Sequence, residues 1–300
     1  KPMKRFGAYL QDSWKSTEKL SLTGGMRLDY LSLNHNSDLL PRLALSYGLN
    51  SSTTLRFAWG FYAQNPEMEH LSKDPDLKSK KATHYVFGLT KKLGENWAGW
   101  VEFYEKIYTD LVTGDSLLNY ANGGKGYSRG LEIFLEKQKN RLTGWLSYSL
   151  GVSKRKEFLN QAESYADFDQ RHLFSVVADW SISRKLTLDL QFRYASGRPY
   201  TPTLRYEPVL IVNHWEYWPV QGPTNSEKYP SFHQLNLRLQ YDFSMFSRNA
   251  SVYAEVWNLY NRRNIMGYDF DLDYYAENYV ERRTFYYTRF LPSLGFRFNF

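Results

Sequence analysis

The sequence predicts an all-β fold, an antiparallel transmembrane β-barrel to which these 300 residues contribute about 13 strands. Apolar and polar residues alternate with period two in segments of about ten residues, the length of a tilted membrane-spanning strand. Short turns and longer loops join these segments in strict alternation, an asymmetry typical of outer-membrane barrels. The last nine residues place Leu294, Phe296, Phe298 and Phe300 on one side of an extended strand, as expected for a closing strand in lipid.

The period-two alternation predicts each strand. It is clearest in residues 186–194, where every even-numbered side chain is Leu, Phe or Tyr and every odd-numbered one is polar or charged. The mean hydropathy of −0.58 agrees with a membrane barrel, because only every second strand residue touches lipid. The strands are predicted over residues 5–14, 20–30, 42–49, 54–63, 82–91, 97–108, 127–136, 142–153, 170–180, 186–194, 232–243, 250–260 and roughly 285–300.

The connections between these strands form two groups. Short turns are predicted at residues 15–19, 50–53, 92–96, 137–141, 181–185 and 244–249. Longer loops are predicted at residues 31–40, 64–80, 109–126, 154–169, 195–231 and 262–283. In bacterial outer-membrane barrels the short turns are periplasmic and the long loops extracellular. The sequence therefore predicts that all the long loops lie on one extracellular rim.

Strand count and direction bear on domain organisation. Bacterial single-chain barrels have even strand numbers, whereas thirteen is odd. The first connection is a short periplasmic turn, so the first strand runs inward, whereas a secreted chain starts its barrel with an outward strand. We therefore expect residues 1–300 to be a single β-barrel domain fragment. Its N-terminal strands are expected to be absent, which leaves an unpaired edge at residues 5–14.

Composition narrows the function classes. The sequence has no Cys, and its six His are isolated from one another, so we expect no thiol or histidine metal site. Aromatic residues make up 18 % of the chain, and Tyr and Trp favour membrane–water interfaces. The net charge of +7 is spread along the whole chain, so we expect no nucleic-acid partner. No phosphate-binding loop or nucleophile motif occurs, so neither an enzyme nor a cofactor is expected.

Five stretches follow one another in a recognisable order. They are residues 6–14 with 22–30, which look like a mid-barrel hairpin, then 122–133, 196–202, 256–261 and the terminal Phe300. In this order they resemble TonB-dependent outer-membrane receptors over the whole chain. The resemblance implies a barrel of about 22 strands with a plugged lumen in the outer membrane of a Gram-negative bacterium. It also implies outer-membrane lipid, a plug domain of the same parent chain and TonB as partners, with plug and TonB-contacting segment preceding Lys1.

The longest predicted loop, residues 195–231, is the candidate ligand-binding segment. Rigid aromatics on a long loop suit stacking on a ligand or a sugar ring. Packing between loops, or an aromatic belt at the lipid headgroups, is an equally weighted interpretation. The candidate ligand-binding residues are Tyr200, Tyr206, His214, Trp215, Tyr217 and Trp218.

Four arginines lie on the strand face opposite the apolar one and are expected to face the lumen. They are Arg27, Arg193, Arg238 and Arg297. We favour a hydrated, ion-paired lumen wall for them, with contact to a plug or a ligand as the alternative.

Three aspartates alternate in the last long loop: Asp269, Asp271 and Asp273. This spacing is similar to the start of a calcium loop, but the Gly and the closing Glu of that motif are absent. We therefore expect a solvated acidic face and no metal site, and these three residues are the one weak candidate.

The predicted function is an outer-membrane receptor and transporter that takes up a scarce nutrient in a TonB-dependent manner. The ligand would be a small molecule or an oligosaccharide of the siderophore, cobalamin or glycan class. A passive porin-like channel is the first alternative, and a soluble β-rich binding module is the second. A plug domain encoded upstream separates the receptor from the channel, and dependence on detergent separates both from the soluble module.

Overall fold

Strands dominate the computed structural model, which describes residues 3–114, 120–156, 162–275 and 280–298. Each of the thirteen predicted strands has a counterpart among these residues, so the predicted all-β class is confirmed. The terminal Phe300, part of the predicted closing strand, lies outside the described residues. The chain divides into two units. The first comprises Lys1–Ile133 and Leu150–Ala166, and the second Phe134–Ser149 and Asp167–Phe300.

In the first unit, consecutive long strands pair antiparallel in chain order, as hairpins joined by turns do. The order of pairing runs from β1 to β8, and β9 pairs with the end of β8. The elements are β1 (Arg5–Lys15), β2 (Leu20–Leu31), β3 (Asn36–Asn50), β4 (Thr53–Gln64), α1 (Met68–Lys73), β5 (Lys80–Lys92), β6 (Trp97–Gly114), parts of β7 (Tyr120–Lys137) and β8 (Leu142–Lys156), and β9 (Ser164–Tyr165).

The second unit continues β7 and β8 and adds five long strands, in the order β8-β10-β11-β16-β17-β20. Three pairs of shorter strands stand apart from this sheet. The long strands are β10 (His172–Ser181), β11 (Leu186–Ala195), β16 (Phe232–Met245), β17 (Arg248–Trp257) and β20 (Leu291–Phe298). The shorter strands are β12 (Pro199–Tyr200), β13 (Thr203–Ile211), β14 (His214–Gln221), β15 (Glu227–Lys228), β18 (Ile265–Leu272) and β19 (Val280–Tyr286).

Strand register gives the long strands one apolar and one polar face. On the apolar face, Leu188 lies opposite Leu239 in the pairing of β11 with β16. On the polar face, Gln191 lies opposite Asn236, whose Nδ2 donates to the Gln191 Oε1 at 3.0 Å. A one-residue slip would exchange the two faces along the whole strand, so the alternation fixes the register.

The buried apolar cluster of the first unit lies near its long-loop end. Leu71 of α1 is buried against Leu31 and Leu77, and all three are at most 3 % exposed. Asn36 supports this cluster, because its Nδ2 donates to Asp38 at 2.7 Å and to the Ser79 hydroxyl at 2.8 Å. None of the helices in the described residues combines the length and apolar character needed to cross a membrane.

Several predicted loops contain regular structure, so their predicted bounds were wrong. Residues 31–40 and 109–126 are largely strand, because the hairpin arms continue pairing past the last clearly alternating residues. Residues 64–80 include α1. The last long loop forms the β18–β19 hairpin, and the closing strand therefore begins at Leu291 rather than near residue 285.

The first strand is an edge strand, as the strand count predicts. Within the described residues its strand partner is β2, and all 11 residues of β1 are exposed. An edge strand leaves one row of backbone N–H and C=O groups without partners, which is costly in lipid.

Candidate functional site

The predicted loop 195–231 folds into two strand pairs in the second unit. β13 and β14 form a hairpin whose turn, Val212 and Asn213, has φ values of 36° and 75°. Two consecutive positive φ values are typical of the type I′ turn, whose backbone twist matches the right-handed twist of the two strands that it joins. β12 pairs with β15 at the base of this excursion. Prolines and clustered aromatics in this segment obscure the period-two alternation, which is why it is predicted as a loop.

An aromatic cluster joins three segments of the second unit: β12, the residue that follows β15, and β18. The Tyr200 ring lies 4.5 Å from the Tyr229 ring and 5.2 Å from the Tyr268 ring, measured between centroids. Tyr229 and Tyr268 are 5.0 Å apart, and Phe270 stacks 6.3 Å from Tyr200. These separations fall in the range in which aromatic pairs attract each other. The cluster therefore binds the β12–β15 pair to the β18–β19 hairpin.

A cavity of about 340 Å³ opens beside this cluster. This volume is at the lower end of the range for small-molecule sites. Its walls combine aromatic faces with hydroxyl, amide and carboxyl groups. The lining residues are Tyr200, Thr201, Thr203, Tyr206, Pro219, Gln221, Tyr229, Tyr268, Asp269 and Phe270.

Two hydrogen bonds from side chains to backbone carbonyls join the segment 195–231 to the β18–β19 hairpin beside the cavity. The Tyr206 hydroxyl donates to the Phe270 carbonyl oxygen at 2.9 Å. The Arg198 guanidinium donates through Nη2 to the Met266 carbonyl oxygen at 2.8 Å. Each bond joins residues more than 60 positions apart, so the cavity exists only when both hairpins are in place.

Charged groups of both signs lie beside the cavity, because the Asp269 carboxylate lines it and two guanidinium groups lie over its rings. Burial raises the pKa of Tyr200 and, in the same way, the pKa of Tyr206. The Arg282 guanidinium lies 4.6 Å from the Tyr268 ring centroid, and that of Arg198 lies 5.6 Å from the Tyr229 ring centroid. Neutral hydroxyl donors next to guanidinium groups suit a ligand that carries both ring surface and negative charge.

The six predicted ligand-binding residues fall into two groups. Tyr200 and Tyr206 line the cavity. His214, Trp215, Tyr217 and Trp218 lie along the outer part of the β13–β14 hairpin and do not line it.

Trp215 and Trp218 lie on opposite faces of β14, because their positions differ by three and side chains alternate between faces. Trp215 is 64 % exposed and stands across from Leu210. Trp218 donates through Nε1 to Glu216 at 3.0 Å, and the His214 ring bonds the same carboxylate at 2.8 Å. Both hydrogen bonds lower the pKa of Glu216, and the bond from Trp218 has the larger effect. Tyr217 packs edge-on against Tyr274, 5.5 Å away.

The three aspartates of β18 and its following turn have different environments. Asp269 lines the cavity, whereas Asp271 pairs with Arg283 at 3.1 Å. Asp273 accepts a hydrogen bond from the Tyr275 backbone N–H at 2.9 Å. In the described ranges of the chain, no group of three or more His, Asp or Glu side chains is arranged to hold a metal ion.

The four predicted lumen arginines lie on strands, and two of them are held by neighbours on their own face. In the first unit, Arg27 makes two bonds to Asp29, at 2.7 and 2.8 Å. In the second unit, Arg238 lies 3.9 Å from the Tyr253 ring centroid and donates to Gln240 at 2.8 Å.

The two remaining arginines, Arg193 and Arg297, are located by strand pairing and by the lining of a second cavity, respectively. Arg193 stands across from Gln234 in the β11–β16 pair. Arg297 lines a cavity of about 430 Å³ near the short-turn end, together with Lys185 and Asp242.

Three residues of the aromatic cluster are not among the predicted site residues: Tyr229, Tyr268 and Phe270. The spacing of Tyr268 and Phe270 by two residues is the signal that could have identified a strand inside the last long loop. Nothing in the sequence indicates that this strand packs against Tyr200, which is 68 positions away.

The antiparallel sheet of long, two-faced strands is that of an outer-membrane barrel, and comparison with known proteins agrees. The profile of the family described as "TonB dependent receptor-like, beta-barrel" matches residues 2–259. The chain belongs to this family, whose barrels are located in the outer membrane of Gram-negative bacteria. A comparison with curated protein sequences finds no match.

Similar solved structures support the fold. The ferric-catecholate import receptor Fiu of E. coli K12 superposes with a TM-score of 0.71 at 12 % identity, over 99 % of this chain and 45 % of that one. The siderophore receptor PirA of Acinetobacter baumannii gives 0.71 at 14 %, over 99 % and 46 %. The ferric citrate transporter FecA gives 0.68 at 16 %, over 98 % and 45 %. The chain thus spans less than half the length of these proteins.

Proposed function

We propose that this chain supplies much of the barrel wall of a TonB-dependent outer-membrane receptor that captures a scarce nutrient at its long-loop rim. The observation that carries the proposal is the aromatic cavity, in which Tyr200 of β12, Tyr229 next to β15, and Tyr268 and Phe270 of β18 converge. A convergent aromatic cavity with a few polar groups is the usual form of a small-molecule site.

Chemistry at the cavity favours a siderophore among the ligand classes. Guanidinium groups lie over Tyr229 and Tyr268, and neutral phenols line the wall. Ferric complexes of catecholate type combine aromatic rings with negative charge, which rings and guanidinium groups attract together. The names of the similar structures, a ferric-catecholate receptor, a siderophore receptor and a ferric citrate transporter, point the same way. Cobalamin and glycans remain the competing classes.

The proposal includes the rest of the receptor. N-terminal strands of the same polypeptide would complete the barrel, and a plug domain would fill the lumen and contact TonB. Two observations support this: the described residues contribute thirteen long strands, an odd number for a single-chain barrel, and the similar proteins are about twice as long. The arginines on the polar strand face, such as Arg27 and Arg238, would then line a hydrated wall next to the plug.

The test is uptake of an iron-55-labelled catecholate siderophore by cells that express the full-length receptor, with and without TonB. We expect uptake only in the strain with TonB. Uptake of equal rate in both strains would instead identify a passive channel.

Binding to the purified full-length receptor tests the cavity itself. Replacing Tyr200 and Tyr268 by Ala should weaken ferric-catecholate binding by about 2 kcal/mol or more if the two rings act as binding hot spots. Tyr241→Ala, on the apolar strand face, is the matched control and should leave affinity unchanged. Wild-type affinity in the folded double variant would remove the cavity from the binding site.

A further inference from the structure

The first unit contains a second surface of interest, on β7 and β8, and glycine contacts define its two sides. A Cβ on Gly130 would lie 2.8 Å from the Tyr104 hydroxyl oxygen, and one on Gly151 would lie 3.0 Å from it. A Cβ on Gly126 would lie 3.0 Å from the Cγ of Arg155. These glycines and Arg155 therefore share one face. Alternation places the odd-numbered residues of β7 and the even-numbered residues of β8 on the opposite face.

That opposite face carries four cations at the long-loop ends of the two strands. We name them the basic cluster: Lys125, Arg129, Lys154 and Lys156. Because Gly126 lies across from Arg155, the antiparallel register sets Lys125 directly across from Lys156. Directly opposed side chains have Cβ atoms about 5 Å apart, and like charges at that distance repel each other.

In the part of the chain that the structure describes, none of the ion pairs within 4.0 Å includes a member of the basic cluster. Two members instead lie over tyrosine rings. The Arg129 guanidinium is 4.8 Å from the Tyr127 ring centroid, and the Lys154 Nζ is 5.1 Å from the Tyr165 ring centroid. The cluster therefore holds several positive charges close together next to two aromatic faces.

The position of the cluster relative to the membrane follows from the residues below it. On the same face, Leu131 and Ile133 continue β7 toward the short turn, and Leu150 and Val152 precede Lys154 in β8. Residues two apart in a strand are separated by about 6.6 Å, so Arg129 lies just above the apolar band. Tyrosines mark the membrane–water interface. The cluster thus lies at headgroup level on the rim with the long loops, which faces the outer leaflet.

We propose that the basic cluster binds the phosphate groups of a phosphorylated glycolipid of the outer leaflet. Lys125 with Lys156, and Arg129 with Lys154, form two cationic pairs, each suited to one phosphate. The rings of Tyr127 and Tyr165 are placed to pack against sugar rings next to those phosphates. This assignment depends on the membrane location and not on which nutrient the receptor captures.

The test measures binding of lipopolysaccharide to the full-length receptor in a zwitterionic detergent. The K125Q/R129Q/K154Q/K156Q variant removes the charge of the cluster. The matched control K15Q/K91Q/K92Q/K139Q removes four exposed lysines at the short-turn ends. K125R/K154R/K156R keeps the charge and reports whether the site tolerates substitution. Heat modifiability on gels verifies that every variant has a folded barrel.

We expect the quadruple glutamine variant to bind lipopolysaccharide at least about tenfold more weakly, because each cation near an anionic membrane surface contributes measurably. The affinities of the control and of the arginine variant for lipopolysaccharide should stay close to that of wild type. Wild type should bind dephosphorylated lipopolysaccharide as weakly as the quadruple variant binds intact lipopolysaccharide. Unchanged affinity in the folded quadruple variant, or equal loss in the control, overturns the proposal. Displacement by excess inorganic phosphate would indicate a site for soluble phosphate and overturn the lipid assignment.

Discussion

Arginine substitution at Leu190 should sharply destabilise the barrel, because this residue lies near the middle of the apolar strand face. β11 has 10 residues, and Leu190 is the fifth. At about 3.3 Å per residue and a tilt of about 40°, the strand spans about 25 Å, the height of the apolar band. Leu190 stands across from Leu237 on one side and Ala178 on the other, so no polar neighbour can receive the charge.

Arg at the bilayer midplane costs about 2–4 kcal/mol in membrane barrels, and the cost falls to about 0–1 kcal/mol near the interfaces. L190R should therefore reduce the folding equilibrium constant roughly 30- to 700-fold. L186R, at the end of the strand, should have little effect. Q191R, on the polar face, should lose about 1 kcal/mol through the hydrogen bond from Asn236.

The assay is a urea titration of the full-length receptor folded into lipid vesicles, followed by tryptophan fluorescence. L190R should lower the free energy of unfolding by about 2–4 kcal/mol, Q191R by about 1 kcal/mol and L186R by about 0–1 kcal/mol. Equal losses for L190R and Q191R would refute the assignment of the two faces. Equal losses for L190R and L186R would refute the assigned depth.

Three further predictions concern the rim. Tyr206→Phe removes the hydrogen bond to the Phe270 carbonyl and should increase proteolytic cleavage of the β18–β19 hairpin with little change in barrel stability. The pKa of Glu216 is lowered from 4.5, so the charged carboxylate stabilises the hairpin above pH 4.5. This stabilisation is lost as the pH falls through the lowered pKa of the folded protein. Acidification should therefore alter the tryptophan fluorescence of wild type but not of Glu216→Gln. Gly197→Ala would place a Cβ onto the Tyr229 carbonyl oxygen, and we expect the β12–β15 pair to open, seen as faster amide exchange at Tyr229.

The long strands could be predicted from sequence because lipid on one face imposes a local rule. Leu188 and Gln191 show their faces through their immediate neighbours alone, whereas the pairing of Leu188 with Leu239 is seen only in the structure. The ends of the strands could not be placed in this way. Asp110, for example, has a φ of 55° within β6, where the strand continues through an irregularity that alternation does not reveal.

Only some of the aromatic residues that line the cavity could be predicted from the sequence, for a related reason. Tyr200 and Tyr206 are conspicuous as aromatics in a long segment. Their partners Tyr268 and Phe270 lie in another hairpin, and packing between distant hairpins leaves no periodic signal in either one. The two predicted residues that line the cavity lie on β12 and β13, whereas the four that do not line it all lie on β14, and no sequence pattern distinguishes the two groups.

The bonds that hold the two rim hairpins together end on main-chain carbonyls, those of Phe270 and Met266, rather than on side chains. A carbonyl is present whatever residue occupies the position. A substitution at position 266 can therefore change the exposed surface of the β18–β19 hairpin and still leave the carbonyl that accepts the Arg198 bond. The two docking bonds therefore depend on the donors Tyr206 and Arg198 and place no requirement on the identity of the acceptor residue.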